Sequence, residues 1–208
     1  MSRLTIIVAA TKNNGIGKNS QLPWRLPKEM TYFARVTSNA PEGKHNAVIM
    51  GRHTYESIPP KFRPLSNRIN IVISRNKQYD LGSTDDTPAF LESGLRHSFE
   101  RLLSLKDSTH RAFVIGGVSL YSECLQLSPS TIVPFVDRVL LTRIISPSFE
   151  DCDVFMPDFL AETNEAGLPV WERATHDALK EWVGFEVPEG EQEEKGIQYE
   201  FQMWVRQV

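Results

Sequence analysis

Five short apolar runs rich in β-branched residues, Leu4–Ala10, Ala47–Met50, Ile69–Ile73, Ala112–Ile115 and Arg138–Ile144, constrain this chain more than any other feature. Each is short and mainly apolar, as expected of a strand buried on both faces. Helical periodicity fills the intervals. Leu95, Phe99, Leu102 and Leu103 recur at i, i+4, i+7 and i+8, and Val118–Leu127 is a second case. Strands alternating with helices predict an α/β fold with a largely parallel sheet covered on both faces. The C-terminal pattern differs: Ile197, Tyr199, Phe201, Met203 and Val205 alternate with mostly polar residues, which predicts a half-exposed strand. The acidic GEQEEKG before it reads as the solvated tip of an antiparallel hairpin whose first arm lies near Glu181–Val187. Such a hairpin would close the sheet at one edge. Residues 76–88 and 127–136, rich in Ser, Asp and Pro, read as surface loops.

At 208 residues the chain suits one compact domain, residues 1–208, with sizeable insertions. A formal charge of −3 gives no reason to expect a nucleic-acid partner, so local basic residues serve a small anionic ligand or simple solvation. Cys124 and Cys152 form no CxxC pair and have no histidine at ligand spacing. No metal site is therefore expected, and a reducing compartment fits better than a disulfide framework. The apolar run in MSRLTIIVAA is too short to span a bilayer and lacks a signal-cleavage region, so a cytosolic location without membrane contact is expected.

One stretch breaks the amphipathic rule. In LPWRLPKEMTYFARV, residues 22–36, Pro27 suits a first helical position. At about 100° per residue, Glu29, Phe33 and Val36 share one arc, with Met30 and Ala34 beside them and Lys28, Thr31 and Arg35 opposite. A carboxylate thus sits on the apolar stripe. It could be a wetted helix-start acid favoured by the dipole, or an inward-facing acid that meets a ligand.

In open α/β sheets, ligands collect beyond the carboxyl ends of strands. The residues there are Gly51-Arg52-His53-Thr54 after one run, Ser74-Arg75 after the next, and Gly116-Gly117-Val118-Ser119-Leu120-Tyr121 after a third. Singly, the first two fit a solvated helix start or turn better than an anion site, and the glycine pair fits a tight turn as well as a close approach to a ligand. Three together fit the separated phosphates of a dinucleotide carrying an extra phosphate. The usual GxGxxG fingerprint is missing. Asn14-Gly15-Ile16-Gly17-Lys18-Asn19 fails as a phosphate loop, because Lys12 stands at the first glycine position and Asn19 where Ser or Thr is required.

The segments IIVAATKNNGIGKNSQLPW, KEMTYF, VIMGRHTYESIP, RPLSNRINIVISR, VIGGVSLY and EEKGIQYEFQMW resemble, in order and register, the dihydrofolate reductase family. The resemblance covers essentially the whole chain, and the length and insertions look like the eukaryotic, fungal-type form. It implies NADPH-dependent reduction of 7,8-dihydrofolate to tetrahydrofolate by a monomer. It also implies a central, mostly parallel eight-stranded sheet whose final strand is antiparallel. Glu29 would be the catalytic carboxylate gripping the pterin, Thr142 would hydrogen-bond it from behind, and Trp24 would help hold the water that protonates N5. Gly15–Gln21 with Leu22 would form a mobile lid over the nicotinamide. Ile7, Val8, Met30, Phe33, Ile58, Leu65 and Ile115, with Tyr121, would line the slot for the substrate rings, and Arg68 would pair with the α-carboxylate of the glutamate tail. Gly51, Arg52, His53 and Thr54 would take the pyrophosphate and adenosine side of the cofactor, and Ser74 and Arg75 the 2′-phosphate. Gly116-Gly117 resembles the family's cis glycine pair; with Val118, Ser119, Leu120 and Tyr121, and with Ala9, Gly15, Ile16, Gly17 and Lys18, it would complete the cofactor contacts. Tyr55, Met30, Asn67 and Val118 depart from common family choices, and none removes a group the reaction needs. The alternatives are a pyrimidine reductase on the same fold, against which Glu29 and Arg68 argue, and a non-catalytic folate- or nucleotide-binding module.

Overall fold

In the computed structural model, which describes residues 3–84 and 87–207, all five apolar runs are strands. In chain order the elements are β1 (Leu4–Thr11), β2 (Gly15–Gly17), α1 (Pro27–Ser38), β3 (His45–Gly51), α2 (Arg52–Ser57), β4 (Arg68–Ile73), β5 (Ala89–Glu92) and α3 (Leu95–Ser104). They continue as β6 (Thr109–Gly116), α4 (Val118–Leu125), β7 (Val136–Ser146), β8 (Val154–Phe155), β9 (Trp171–Arg173), α5 (His176–Val183), β10 (Glu191–Glu194) and β11 (Ile197–Arg206).

The main sheet runs β10-β11-β7-β1-β6-β3-β4-β5, with short β9 beside the end of β11. From β7 to β5 every pairing is parallel; β11 is antiparallel to β7, and β10 to β11. The expected eight-stranded path is therefore present, with β9 as a small addition. Side-chain alternation divides the core into two layers. Leu4, Ile6 and Val8 of β1 pack with Leu95 and Leu102 of α3 and with Leu120 and Cys124 of α4. Ile7 faces the other way, towards Tyr32 and Val36 of α1, Tyr55 of α2 and Leu179 and Val183 of α5.

Several expectations need correction. The hairpin's first arm is β10 itself, and Glu181–Val187 is not a strand: residues 176–183 form helix α5. Thr175 caps that helix by accepting from the Ala178 amide, Leu179 and Val183 bury one face, and Gly184 ends it at φ +79°. Leu103 does not belong to the buried stripe of α3; it is 69% exposed, and Leu95, Ser98 and Leu102 form that face. The buried arc of α1 is likewise turned. Tyr32 and Thr37 join Glu29 and Val36, while Met30 and Ala34 are exposed, because Tyr32 packs against Phe201 at 4.1 Å between ring centroids. The expected loop 76–88 leads into β5, which pairs with β4; residues 85 and 86 within it lie outside the described residues.

Candidate active site

Parallel pairing aligns the carboxyl ends of the central strands. Ala9 stands opposite Thr142, Met50 opposite Gly116, and Gly51 opposite Ile73. Residues far apart in the chain thereby meet along one sheet edge, and α1 crosses it.

Pro27 opens α1 and places Glu29 in its first turn. The Glu29 side chain points inward, 6% exposed, and its Oε1 accepts a 3.1 Å hydrogen bond from the Thr142 hydroxyl on β7. Burial raises its carboxyl pKa from 4.5 to about 7, against the lowering effect of the Thr142 hydrogen bond; the charge on Glu194 adds to the rise. Near neutral pH the group is therefore poised between acid and carboxylate. It lies on the wall of a cavity of about 220 Å³ lined also by Leu22, Trp24, Arg25, Leu26, Pro27 and Met30. Met30 and Leu22, both about half exposed, stand at its mouth. Trp24 is buried edge-on to Phe149, and its Nε1 has no hydrogen-bond partner among the described residues.

Ile7, Phe33, Ile58, Leu65 and Ile115 share the core layer of α1. Val8 does not: it alternates to the opposite layer, so its side chain packs on the α3–α4 side. Tyr121 is buried in α4, and its hydroxyl donates to the Ile7 carbonyl at 3.2 Å. Arg68 is 7% exposed at the start of β4, where Nη1 donates to Thr37 Oγ1 at 2.8 Å and Nε to the Ser66 carbonyl at 2.9 Å. Desolvation lowers its pKa to about 10, so it remains a cation at neutral pH, and it forms no ion pair among the described residues.

The strand-end glycines lie together. The Gly116-Gly117 peptide is cis, and Gly116 has φ +127°. A Cβ on Gly116 would stand 3.2 Å from Thr54 Oγ1 and 3.4 Å from the Tyr121 hydroxyl; one on Gly51 would stand 3.8 Å from the Gly117 amide. These three glycines and Thr54 thus form one cradle that side chains would fill. Val118 and Ser119 open α4 beside it, while Leu120 turns into the core. Arg52 and His53 lean on Glu56, at 2.8 and 3.5 Å. Ser74 is buried and accepts from the Asn76 amide at 3.0 Å, and Arg75 is exposed beside it. Gly15, Ile16 and Gly17 form β2, which pairs with β8; Lys18 pairs with Asp151, and the Asn19 amide donates to Asp153 at 2.8 Å.

Sequence reasoning missed Thr37, Tyr32 and Glu194. Thr37 lies eight positions beyond Glu29, near enough in helical phase to have been traced on the same face. Glu194 sits in a run of acids that carried no distinguishing signal. Among the described residues no group of acidic, histidine or cysteine side chains could hold a metal, and no helix is long and apolar enough to cross a membrane.

A family model described as dihydrofolate reductase matches residues 3–206. The dihydrofolate reductase of Cryptococcus neoformans var. neoformans serotype D is 45% identical, over 97% of this chain and 94% of its own length. That of Pneumocystis carinii is 41% identical, over 99% and 97%. The solved structure of Schistosoma mansoni dihydrofolate reductase superposes with a TM-score of 0.75 at 30% identity, covering 99% of each chain.

Proposed function

Since the chain belongs to the dihydrofolate reductase family, we propose that Glu29 is the acid around which its reaction is organised. That reaction is the reduction of dihydrofolate to tetrahydrofolate with NADPH. One observation carries the assignment: a carboxyl group 6% exposed, poised near neutral pH, on the wall of a cavity. A buried acid is costly unless a partner meets it. The pterin offers an exocyclic amine and an adjacent ring N–H, two parallel donors that match two carboxylate oxygens.

When bound, NADPH supplies the hydride that pterin C6 accepts. The chain's residues do the rest. Glu29 orients the ring, with Thr142 steering Oε1. Trp24 Nε1, buried without an acceptor among the described residues, is suited to hold the water that passes a proton to N5. Ile7, Phe33, Ile58, Leu65 and Ile115 exclude bulk water around the rings. Arg68, its Nε and Nη1 already used, presents the rest of its guanidinium to the α-carboxylate of the substrate tail. The cradle of Gly51, Thr54, Gly116 and Gly117 fits the close approach of a pyrophosphate and nicotinamide ribose. Ser74 and Arg75 suit the 2′-phosphate, and the β2 segment through Lys18 and Leu22 suits a lid.

We take the 208 residues as one monomeric, cytosolic domain. Cys124 and Cys152, both unpaired, agree with a reducing compartment. The test follows the NADPH absorbance band with purified protein. Consumption that depends on dihydrofolate and drops in Glu29→Gln is expected; an undiminished rate in that variant would overturn the assignment.

A further inference from the structure

Helix α1 begins without a side-chain cap, because Leu26 stands at its N-cap position and offers no oxygen. The first-turn amide of Lys28 nevertheless has a partner. It donates to Glu194 Oε2 over 3.0 Å, from a residue 166 positions further along the chain. Glu194 ends β10 and pairs with Ile197 across a two-residue turn in which Lys195 and Gly196 have φ of +54° and +75°. Two left-handed central residues make the tight turn that matches the twist of a hairpin. The backbone that carries this carboxylate is therefore held by a strand ladder.

We propose that Glu194 is a positioning residue for the reaction: from the hairpin it caps the helix that presents Glu29, one residue beyond the capped amide, and sets a standing negative charge against that acid. The proposal rests on Glu29 being the acid of the site. The cap satisfies one of the orphan donors of the first turn, and an anion there is favoured by the helix dipole. The same charge disfavours ionisation of Glu29. The groups that face Glu29 from other elements are Thr142 on β7, Tyr121 on α4 and Tyr199 on β11, with Tyr32 on α1 itself. Burial raises all three phenols, so they stay neutral through the working range. Arg25 lines the same cavity from its exposed side. Glu194 is the anion of the set.

The test measures kcat/KM for dihydrofolate at saturating NADPH from pH 5.5 to 9 for the parent, Glu194→Gln, Glu194→Ala and Glu29→Gln. This ratio reports the free enzyme's ionisations. N5 gains the proton that Glu29 holds in the free enzyme, which leaves the carboxylate to grip the pterin, so the parent declines as Glu29 ionises. Glu194→Gln keeps an acceptor oxygen for the Lys28 amide, so it melts above Glu194→Ala, but its decline starts at lower pH. Its kcat/KM then equals the parent's at pH 5.5 and is about two- to threefold lower at pH 8, a gap that closes in high salt. Glu194→Ala shows the same displacement and also melts lower. If the Glu194→Gln profile superimposes on the parent's while Glu29→Gln flattens it, the role of Glu194 is refuted and that of Glu29 stands. If Glu29→Gln retains the parent profile, the underlying reading fails instead. An unchanged melting temperature in Glu194→Ala refutes the cap.

Discussion

Thr142 donates to Glu29 across 3.1 Å, joining the middle of β7 to the first turn of α1 between residues 113 positions apart. The bond favours the ionised carboxyl and burial favours the neutral one, and burial dominates. Thr142→Val, similar in shape but lacking the donor, should therefore raise the pKa of Glu29 further. The pH limb of kcat/KM should move upwards, opposite to the shift expected of Glu194→Gln. A downward shift would contradict the balance described.

Glu29→Gln should act on rate and stability with opposite signs. Loss of the acid should lower kcat by roughly a hundredfold or more. The folded carboxyl titrates near 7 and the unfolded one near 4.5, so the native state binds the proton more tightly. Unfolding free energy then falls as pH rises from 4.5 through 7 and levels off above, a loss of about 3 kcal/mol at about 1.4 kcal/mol per pKa unit. The neutral amide escapes this loss. The unliganded variant should melt above its parent at pH 8 and level with it at pH 4.5, as calorimetry would show.

Arg68→Leu should raise KM for dihydrofolate by about 10- to 100-fold with kcat little changed, the scale of a charge-assisted hydrogen bond. A pterin substrate lacking the glutamate tail should be reduced equally well by both proteins. Discrimination against both substrates would mean that the guanidinium merely supports Thr37.

Arg75→Ala should weaken NADPH binding about tenfold or more while leaving NADH nearly unaffected. Titration of cofactor fluorescence measures both. Equal weakening would place the 2′-phosphate elsewhere.

Gly15→Ala should loosen the β2–β8 pairing, because its Cβ would stand 2.7 Å from Cys152 Sγ and 2.8 Å from Cys152 Cβ. Such overpacking typically costs about 1–3 kcal/mol. Amide exchange in β2 should accelerate, and Cys152→Gly in the same chain should restore protection. Absence of rescue would exclude that contact as the cause.

The parallel strands were legible because apolar layers cover both faces of the sheet, so neighbours that face opposite ways, such as Val48 and Ile49 or Phe113 and Val114, are all apolar and leave a nearly continuous run in the sequence. The last strand was legible because β11 alternates. What failed was local. β2, β8 and β9 have two or three residues each, too few to carry a period, and exist because neighbouring strands supply donors and acceptors. Helix α5 has its signals in place, Thr175 at one end and Gly184 at the other, but the acidic tract beyond it suggests a hairpin arm that overlaps its last residues. At the site, Glu29 stood out as an acid on an apolar stripe, yet its inward orientation depends on Thr142 and Glu194, which no local pattern connects to it. Val8 shows the same limit: the family resemblance put it in the slot with Ile7, and the pleat turns its side chain to the other face of the sheet.

The position of β11 has a consequence for how the enzyme is made. Phe201 lies directly opposite Thr142, so β7 is an interior strand only once residues 197–206 have docked. A nascent chain emerging from the ribosome can build β1, β3, β4 and β6 early, but until those residues follow, the strand bearing Thr142 is a bare edge prone to mispairing. Turnover should accordingly switch on only once residues 197–206 have been made and docked, in a single step.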